Sequence, residues 1–301
     1  ESSEKTIPAA IEFVDIAGLV RGAHKGEGLG NQFLANIRET DAICHVVRGF
    51  EDPNVIHVDG DVDAARDVEV IELELAMADL STVEKRIERL GGQKKAAKPG
   101  TFDVLEKLLD RLKETLEAGK LVHGLEFSDD ERVFLKELSL LTAKPIVYVV
   151  NVSEEAAADP NWASPLGGDR IALPLCIKLE SEIAELPEAE QAEFLTAMGL
   201  EATGLDKLIR RCFTELDLIT YFTAGPKEAR AWQVKKGATA PQAAGVIHTD
   251  FEKNFIRAEV TTYEDYVELG AVGAREAGKQ RIEGKEYIMQ DGDVCYFRIG
   301  G

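Results

Sequence analysis

An apolar run closes on an aspartate and, three residues later, a glycine at Phe13-Val14-Asp15-Ile16-Ala17-Gly18-Leu19-Val20. At the end of a buried strand, that spacing can handle a magnesium ion and a terminal phosphate. The Asp15 carboxylate would hold a Mg²⁺-bound water. The Gly18 amide can approach a γ-phosphate because no side chain obstructs it. D-x-x-G arises often by chance, so its weight comes from its position. Gly22, Gly26, Gly28 and Gly30 follow within residues 22–32. That stretch reads either as a surface loop or as a switch that orders around a γ-phosphate. It contains no G-x-G-x-x-G, so a dinucleotide fingerprint is unsupported.

The elements that must position these groups follow from periodicity. Four short apolar runs, Ile11–Ile16, Ala42–Val47, Pro145–Val150 and Ile171–Cys176, read as buried parallel strands with helical patterns between them. That alternation predicts an α/β fold with a doubly wound, mostly parallel sheet. One crossover is far longer than a simple connection needs. Between residues 68 and 121, Leu80, Val83, Ile87 and Leu90 form one apolar stripe; Leu105, Leu108, Leu109, Leu112 and Leu116 form another. The polar stretch 91–100 separates them, so an inserted antiparallel helical hairpin is expected. The plainer alternative is two ordinary helices lying on the sheet. After Tyr221 the pattern changes to short alternating segments, Ala231–Val234, Phe255–Val260, Tyr287–Met289 and Val294–Ile299, with a turn at Asp291-Gly292. These predict a separate, strand-rich α+β domain.

Composition narrows the partners. The 301 residues are 45% apolar, which excludes wholesale disorder, and carry a formal charge of −20. That charge is unevenly spread: −11 over residues 1–80, −11 over 121–220, −1 over 221–301 and +3 over 81–120. Lys94, Lys95 and Lys98 cluster at the expected tip of the hairpin. The total excludes non-specific polyanion binding by the molecule as a whole, but leaves RNA open to the arm and the C-terminal domain. The four cysteines are scattered and form no C-x-x-C, so reduced thiols are favoured over zinc or disulfides. No apolar run approaches the ~18 residues of a membrane span, and the first residues have no signal-peptide character. A cytoplasmic protein without a membrane partner is expected.

Residues 15–48, DIAGLVRGAHKGEGLGNQFLANIRETDAICHVVR, resemble the switch region of the Obg-related P-loop GTPases, above all the YchF branch of Obg-like ATPases. The resemblance extends over nearly the whole chain. It includes Asn151-Val152-Ser153-Glu154 and a C-terminal block, with 229–232, 239–245 and 247–253, similar to that family's TGS domain. It implies a P-loop nucleotidase core in two parts, residues 1–80 with the switch and 121–220 with the base-specificity loop. The helical arm 81–120 is inserted between them, and a β-grasp-like TGS domain fills 221–301. ATP and Mg²⁺ are the implied ligands, K⁺ is a further candidate ion, and the implied partner is the ribosome or its RNA. A monomer is expected.

Asn151–Glu154 follows the strand at 146–150, where a nucleotidase places its base-reading loop. GTPases use N-K-x-D there, the aspartate accepting from guanine N1–H and the 2-amino group. Here Val152 replaces the lysine and Glu154 the aspartate. The longer Glu154 is badly placed for that bidentate contact, so loss of guanine discrimination and a preference for ATP are expected. The alternative is that Asn151 merely caps the next helix. Cys176 follows the next strand, where related nucleotidases make a backbone contact to the base; simple burial explains it equally well.

Leu19 stands where Ras-like enzymes carry the water-positioning glutamine, and an alkyl group cannot orient water. The resemblance therefore implies a nucleotidase that draws on another group. His57, in Asn54-Val55-Ile56-His57-Val58, matches a loop histidine of the family and is the leading candidate, since an imidazole can orient water at neutral pH. A structural loop histidine is the competing reading. His24 is a weaker candidate; His45 and His123 read as packing residues.

No G-x-x-x-x-G-K-[ST] precedes Asp15, and the resemblance places that motif upstream of Glu1. The chain as it stands is expected to bind ATP poorly. The one G-x-x-x-x-G-K, Gly273–Lys279, is rejected, because Gln280 stands where Ser or Thr must bind Mg²⁺. The favoured function is a ribosome-associated ATPase switch. The alternatives are a non-catalytic RNA- or ribosome-binding adaptor and an Obg-type GTPase.

Overall fold

The computed structural model describes residues 3–16, 29–57, 60–95, 98, 100–168, 170–198 and 200–300. The chain forms two compact units, Val14–Arg211 and Glu1–Phe13 together with Cys212–Gly301. Strand β1 (Lys5–Ile7) belongs to the second unit.

In the first unit, α1 (Leu29–Glu39) leads to β2 (Ile43–Arg48), which pairs in parallel with β3 (Ile146–Asn151); β3 pairs in parallel with β4 (Ala172–Leu175). The central strand is apolar throughout because both its faces are covered. Ile146, Tyr148 and Val150 pack with Val47, Ala64 and Val68. Val147 and Val149 are buried on the opposite face. Three of the four expected strands are therefore present. The stretch Ile11–Ile16 has no regular structure among the described residues, and Phe13 and Val14 lie exposed. A strand is made by ladder partners as much as by apolar side chains, and no described strand is paired with this stretch.

The long crossover is a helical hairpin. Helix α2 (Ala64–Lys94) is capped by Asp63, whose side chain accepts from the Arg66 amide, and α3 (Asp103–Glu117) returns along it. Val83 and Leu90 interlock with Leu105, Leu108, Leu109, Leu112 and Leu116, with Leu80 and Ile87 half-buried beside them. The expected stripes face each other, yet they do not close the core alone. Leu138 of α4 (Asp129–Leu138) and Val122 and Leu140 enter the same cluster. The turn is also shorter than the 91–100 breaker suggested, because α2 runs through Gly91 and Gly92. Each glycine costs roughly 1 kcal/mol relative to alanine, too little to stop a long helix that is already formed.

Beyond β3 lie α5 (Glu154–Ala158), then β4, α6 (Ile177–Glu185), α7 (Glu188–Ala197) and α8 (Gly204–Glu215). Among the described residues, no helix is long and apolar enough to cross a membrane.

The second unit is a six-stranded mixed sheet in the order β1-β6-β5-β9-β7-β8. Its strands after β1 are β5 (Leu218–Ala224), β6 (Glu228–Lys235), β7 (Phe255–Thr262), β8 (Arg281–Glu283) and β9 (Asp293–Ile299). The β5–β6 hairpin lies beside β9, which runs parallel to β5, in a β-grasp-like arrangement. Helices α9 (Ala240–Ile247), α10 (Thr249–Lys253) and α11 (Tyr263–Glu276) complete it. The fully buried alanines of α9 meet Tyr221, whose hydroxyl donates to the Ala243 carbonyl at 2.7 Å. Asp291-Gly292 forms the expected turn, Gly292 taking φ +85°. Tyr287–Met289 is not a ladder strand. Its Tyr287 carbonyl and Met289 amide bond Ala240 and Ala238 at the start of α9 instead. The Gly273–Lys279 stretch ends α11, and the amides of Ala277, Gly278 and Lys279 are spent on preceding carbonyls. That leaves no phosphate cradle there.

Candidate functional site

In an open α/β sheet, ligands bind beyond the carboxyl ends of the strands. Three loops converge there. The Gly49 amide donates to the Asn151 carbonyl at 2.8 Å, and the Val152 amide to the Leu175 carbonyl at 2.9 Å. The Ile177 amide donates to Asn151 Oδ1 at 3.1 Å. Asn151 therefore ties the end of β3 to the start of α6. The cap of α5 is Ser153, whose hydroxyl accepts from the Ala156 amide, so Asn151 does not cap the helix that follows it. Gly49 is needed for close approach, since a Cβ there would stand 2.3 Å from Val150 Cγ1.

Around that tie, Val152 turns into the core with 5% exposure. Glu154 lies at the surface, 3.4 Å from Lys178 Nζ, and together with Glu182 it holds that ammonium above the ordinary lysine range. Cys176 is buried at the N-cap of α6. Asp15 is exposed, while the next residue, Ile16, packs against Leu34, Ile37 and Leu75 and fixes the chain beside α1 and α2. Gly18, Leu19, Gly22, His24, Gly26 and Gly28 lie outside the described residues; Gly30 falls in α1.

His57 is held from two sides. Arg48, at the end of β2, donates to the carbonyls of Phe50 (3.0 Å), Asp52 (3.3 Å) and Val55 (2.8 Å), gathering the loop that leads to His57. The His57 Nε2 lies 2.9 Å from Asp67 Oδ2 in the first turn of α2, with side-chain exposures of 14% and 20%. Neither Arg48 nor Asp67 stands out in the sequence. Arg48 acts on carbonyls, which leave no trace in side-chain spacing, and Asp67 looks like an ordinary first-turn acid.

Helix α2 also buries Glu72, Glu74 and Asp79. Glu72 accepts from the Tyr148 hydroxyl at 2.5 Å and from Arg170 at 3.0 and 2.8 Å. Burial, joined by the negative charge of Glu72, pushes the Tyr148 phenol up. Asp79 accepts from the Leu141 amide (2.9 Å), the Thr142 amide (2.7 Å) and the Thr142 hydroxyl (2.7 Å). Burial pushes its carboxyl up against those three bonds. His45, on β2 beside Tyr148, is a packing residue as expected; His123 is exposed. All four cysteines are free thiols.

At the arm's tip, Lys94 Nζ pairs with Glu106 at 2.6 Å, and Lys95 and Lys98 are exposed. Among the described residues, no group of three His, Cys, Asp or Glu side chains could hold a metal. Mg²⁺ is commonly held by one or two carboxylates plus phosphate oxygens rather than by a protein cage, and the Asp15 carboxylate is exposed.

Comparisons with known proteins fit this geometry. A family model described as "50S ribosome-binding GTPase" matches residues 2–87. Another, the C-terminal YchF-GTPase model described as a protein of unknown function, matches 218–300. The "Ribosome-binding ATPase YchF" of Bacillus subtilis (strain 168) is 50% identical over 306 residues, covering 98% of this chain and 83% of that protein. The "Obg-like ATPase 1" of Oryza sativa subsp. japonica is 41% identical over 303 residues, covering 97% and 76%. The solved Schizosaccharomyces pombe YchF GTPase superposes with a TM-score of 0.81 at 35% identity, covering 98% of this chain and 82% of that one. Fold and strand-end loops define a P-loop nucleoside-triphosphatase domain with a C-terminal β-grasp-like unit. The chain belongs to the YchF family.

The half-buried His45 gives a pH dependence. Burial lowers the His45 pKa from 6.5 to about 4, Glu72 and Asp67 opposing the shift. The unfolded chain therefore takes up this proton first. The stability tied to neutral His45 is complete above pH 6.5 and is lost as pH falls toward 4. His45→Asn should flatten the fall in unfolding free energy across that window in urea titrations at stepped pH. An unchanged slope would contradict the assignment.

Proposed function

We propose that this protein is a cytoplasmic, ribosome-associated, ATP-binding and ATP-hydrolysing switch. The observation that carries the choice of nucleotide is the loop after β3. Asn151 is pinned by the Ile177 amide, Val152 is buried, and a glutamate paired with Lys178 stands in place of a base-reading aspartate. Guanine offers two donors to a short, fixed carboxylate, and Glu154 is one methylene too long and already engaged. In this reading Asp15 holds a Mg²⁺-bound water. Gly18 meets the γ-phosphate, Asn151, Val152, Glu154 and the Cys176 backbone border the base, and His57 orients the attacking water where Leu19 cannot. The protein acts as a monomer, with residues 81–120 as the arm and 221–301 as the TGS-like domain. The relatives' printed names support the ribosome and ATP parts of the reading.

Binding to the full-length protein tests the nucleotide choice. ATP should bind more tightly than GTP, and Glu154→Asp should move the ATP-to-GTP affinity ratio toward GTP by about tenfold, or 1.4 kcal/mol. Equal or tighter GTP binding by the unaltered protein would overturn the nucleotide assignment. Turnover with and without ribosomes separates this reading from a non-catalytic adaptor, for which neither condition gives turnover.

The arm supplies the ribosomal contact in this reading. Alanine at Lys94, Lys95 and Lys98 together should weaken ribosome binding and make log K against log salt shallower, by about one unit of slope for each phosphate no longer neutralised. Because Lys94 is shared with Glu106, Lys95 and Lys98 should account for most of the change. A wild-type slope would exclude the arm as an RNA contact.

A further inference from the structure

The second unit carries a cluster of arginines that the sequence does not announce, because its members come from three elements. Across β7 and β9, Glu259 stands opposite Tyr296 and Arg257 opposite Arg298, so all four residues share one face of the sheet. Ile282 of β8 pairs with Glu259 and extends the row. Arg298 donates from Nε to Glu259 at 2.9 Å, and Arg257 comes within 3.6 Å of the same carboxylate. The Arg298 bond, with the nearby charges of Arg257 and of Arg275 on α11, holds the Glu259 carboxyl below the ordinary glutamate range. Three guanidiniums thus gather round one carboxylate, in a chain whose formal charge is −20. The carboxylate is buried, while Arg298 and Arg257 stay exposed.

The cluster is also flat. The Arg298 guanidinium lies 4.3 Å from the centre of the Tyr296 ring, and Tyr296 is 55% exposed. Tied to Glu259, the guanidinium is held over the ring instead of ranging through its rotamers. Ile282 adds exposed apolar surface beside them. An unstacked nucleotide offers the complement to both features at once: a π face for the ring and guanidinium, and a phosphate for the neighbouring arginines. A duplex keeps its base faces stacked, and an acidic peptide brings charge without a planar face.

We propose that this sheet face, centred on Tyr296 and Arg298, is a docking surface for single-stranded RNA: a base stacks on the tyrosine–guanidinium pair, and the backbone phosphates follow Arg257 and Arg275. The proposal rests on the ribosomal reading given above for its partner class. It gives the C-terminal domain an RNA contact of its own, in addition to the lysines of the arm. Stacking of this kind tolerates any base, so the surface selects single strands over duplexes and not one sequence over another.

The test uses the full-length protein and the fluorescence anisotropy of a short labelled single-stranded RNA, the same RNA annealed to its complement, and polyglutamate as competitor. Binding is measured at stepped salt, with the wild-type arm and with alanine at Lys94, Lys95 and Lys98. Ribosome co-sedimentation and melting temperature are followed in parallel. The single strand should bind about tenfold more tightly than the duplex. Tyr296→Ala should weaken the single strand about tenfold, and Tyr296→Phe, which keeps a ring, by less than about twofold. Arg298→Lys keeps the charge and loses the plane, so affinity should fall while the salt slope holds. Arg257→Ala should lower that slope by about one unit. All four changes should appear in both arm backgrounds. A duplex bound as tightly as the single strand, or wild-type affinity in Tyr296→Ala and Arg257→Ala, would overturn the proposal and leave ribosome association standing on its own assay. Polyglutamate that displaces the RNA and binds Tyr296→Ala as well as the wild type would overturn it in favour of an acidic protein partner. Wild-type protein that binds the RNA as described but does not sediment with ribosomes would support the RNA surface and overturn the ribosomal reading alone.

Discussion

Helix α2 must bury carboxylates, and the first unit is arranged around satisfying them. A buried anion without donors is costly, so each one fixes the position of whatever donates to it. Asp79, with no exposed surface, collects two amides and a hydroxyl from Leu141 and Thr142, just ahead of β3. Glu72 collects Tyr148 from β3 and Arg170 from the approach to β4. Asp67 collects His57 from the loop after β2. One helix is thereby registered against all three strands. Apolar packing of Val68 and Leu75 brings α2 to the core but does not select among rotations and slides as these bonds do.

The arrangement of the candidate site follows from that register. The carboxyl ends of β2, β3 and β4 carry Arg48, Asn151 and Cys176, and their loops are tied by main-chain bonds that Gly49 permits. The same α2 that holds the sheet extends past it as one side of the hairpin, whose leucines close against α3 and α4. Truncating a fully buried leucine such as Leu108 costs about 2–5 kcal/mol, so these contacts hold the hairpin together. One helix thus runs from the turn that holds Asp67 beside His57 to the lysine at the tip of the hairpin.

What could be read from sequence was what repeats. The stripes at Val83, Leu90, Leu105 and Leu112 and the runs in β2, β3 and β4 carry helix and strand periods, and all form as expected. Ile11–Ile16 has the apolar content of a strand, but composition does not encode which partner is paired to it. Tyr287–Met289 alternates like a strand and spends its bonds on the start of α9. In the candidate site, Asn151 and Glu154 were legible because one closes a strand and the other follows it directly. Arg48 was not, since its partners are carbonyls, and Glu72 and Asp79 were not, since an acid in a charged helix looks solvated until a fold buries it. The link between His57 and Asp67, across a loop and a helix start, is a tertiary fact with no local signal.

The α2 carboxylates hold the strand-end loops in register. Amide hydrogen exchange in Asp79→Asn measures this most directly, because the new NH2 group sets a donor against the amide of Leu141 or of Thr142 at one of the two oxygen positions. Faster exchange is predicted to spread beyond Leu141 and Thr142 into β3 and the loop from Gly49 to His57. Exchange that quickens only at Leu141 and Thr142, with β3 and the His57 loop as protected as before, would contradict it.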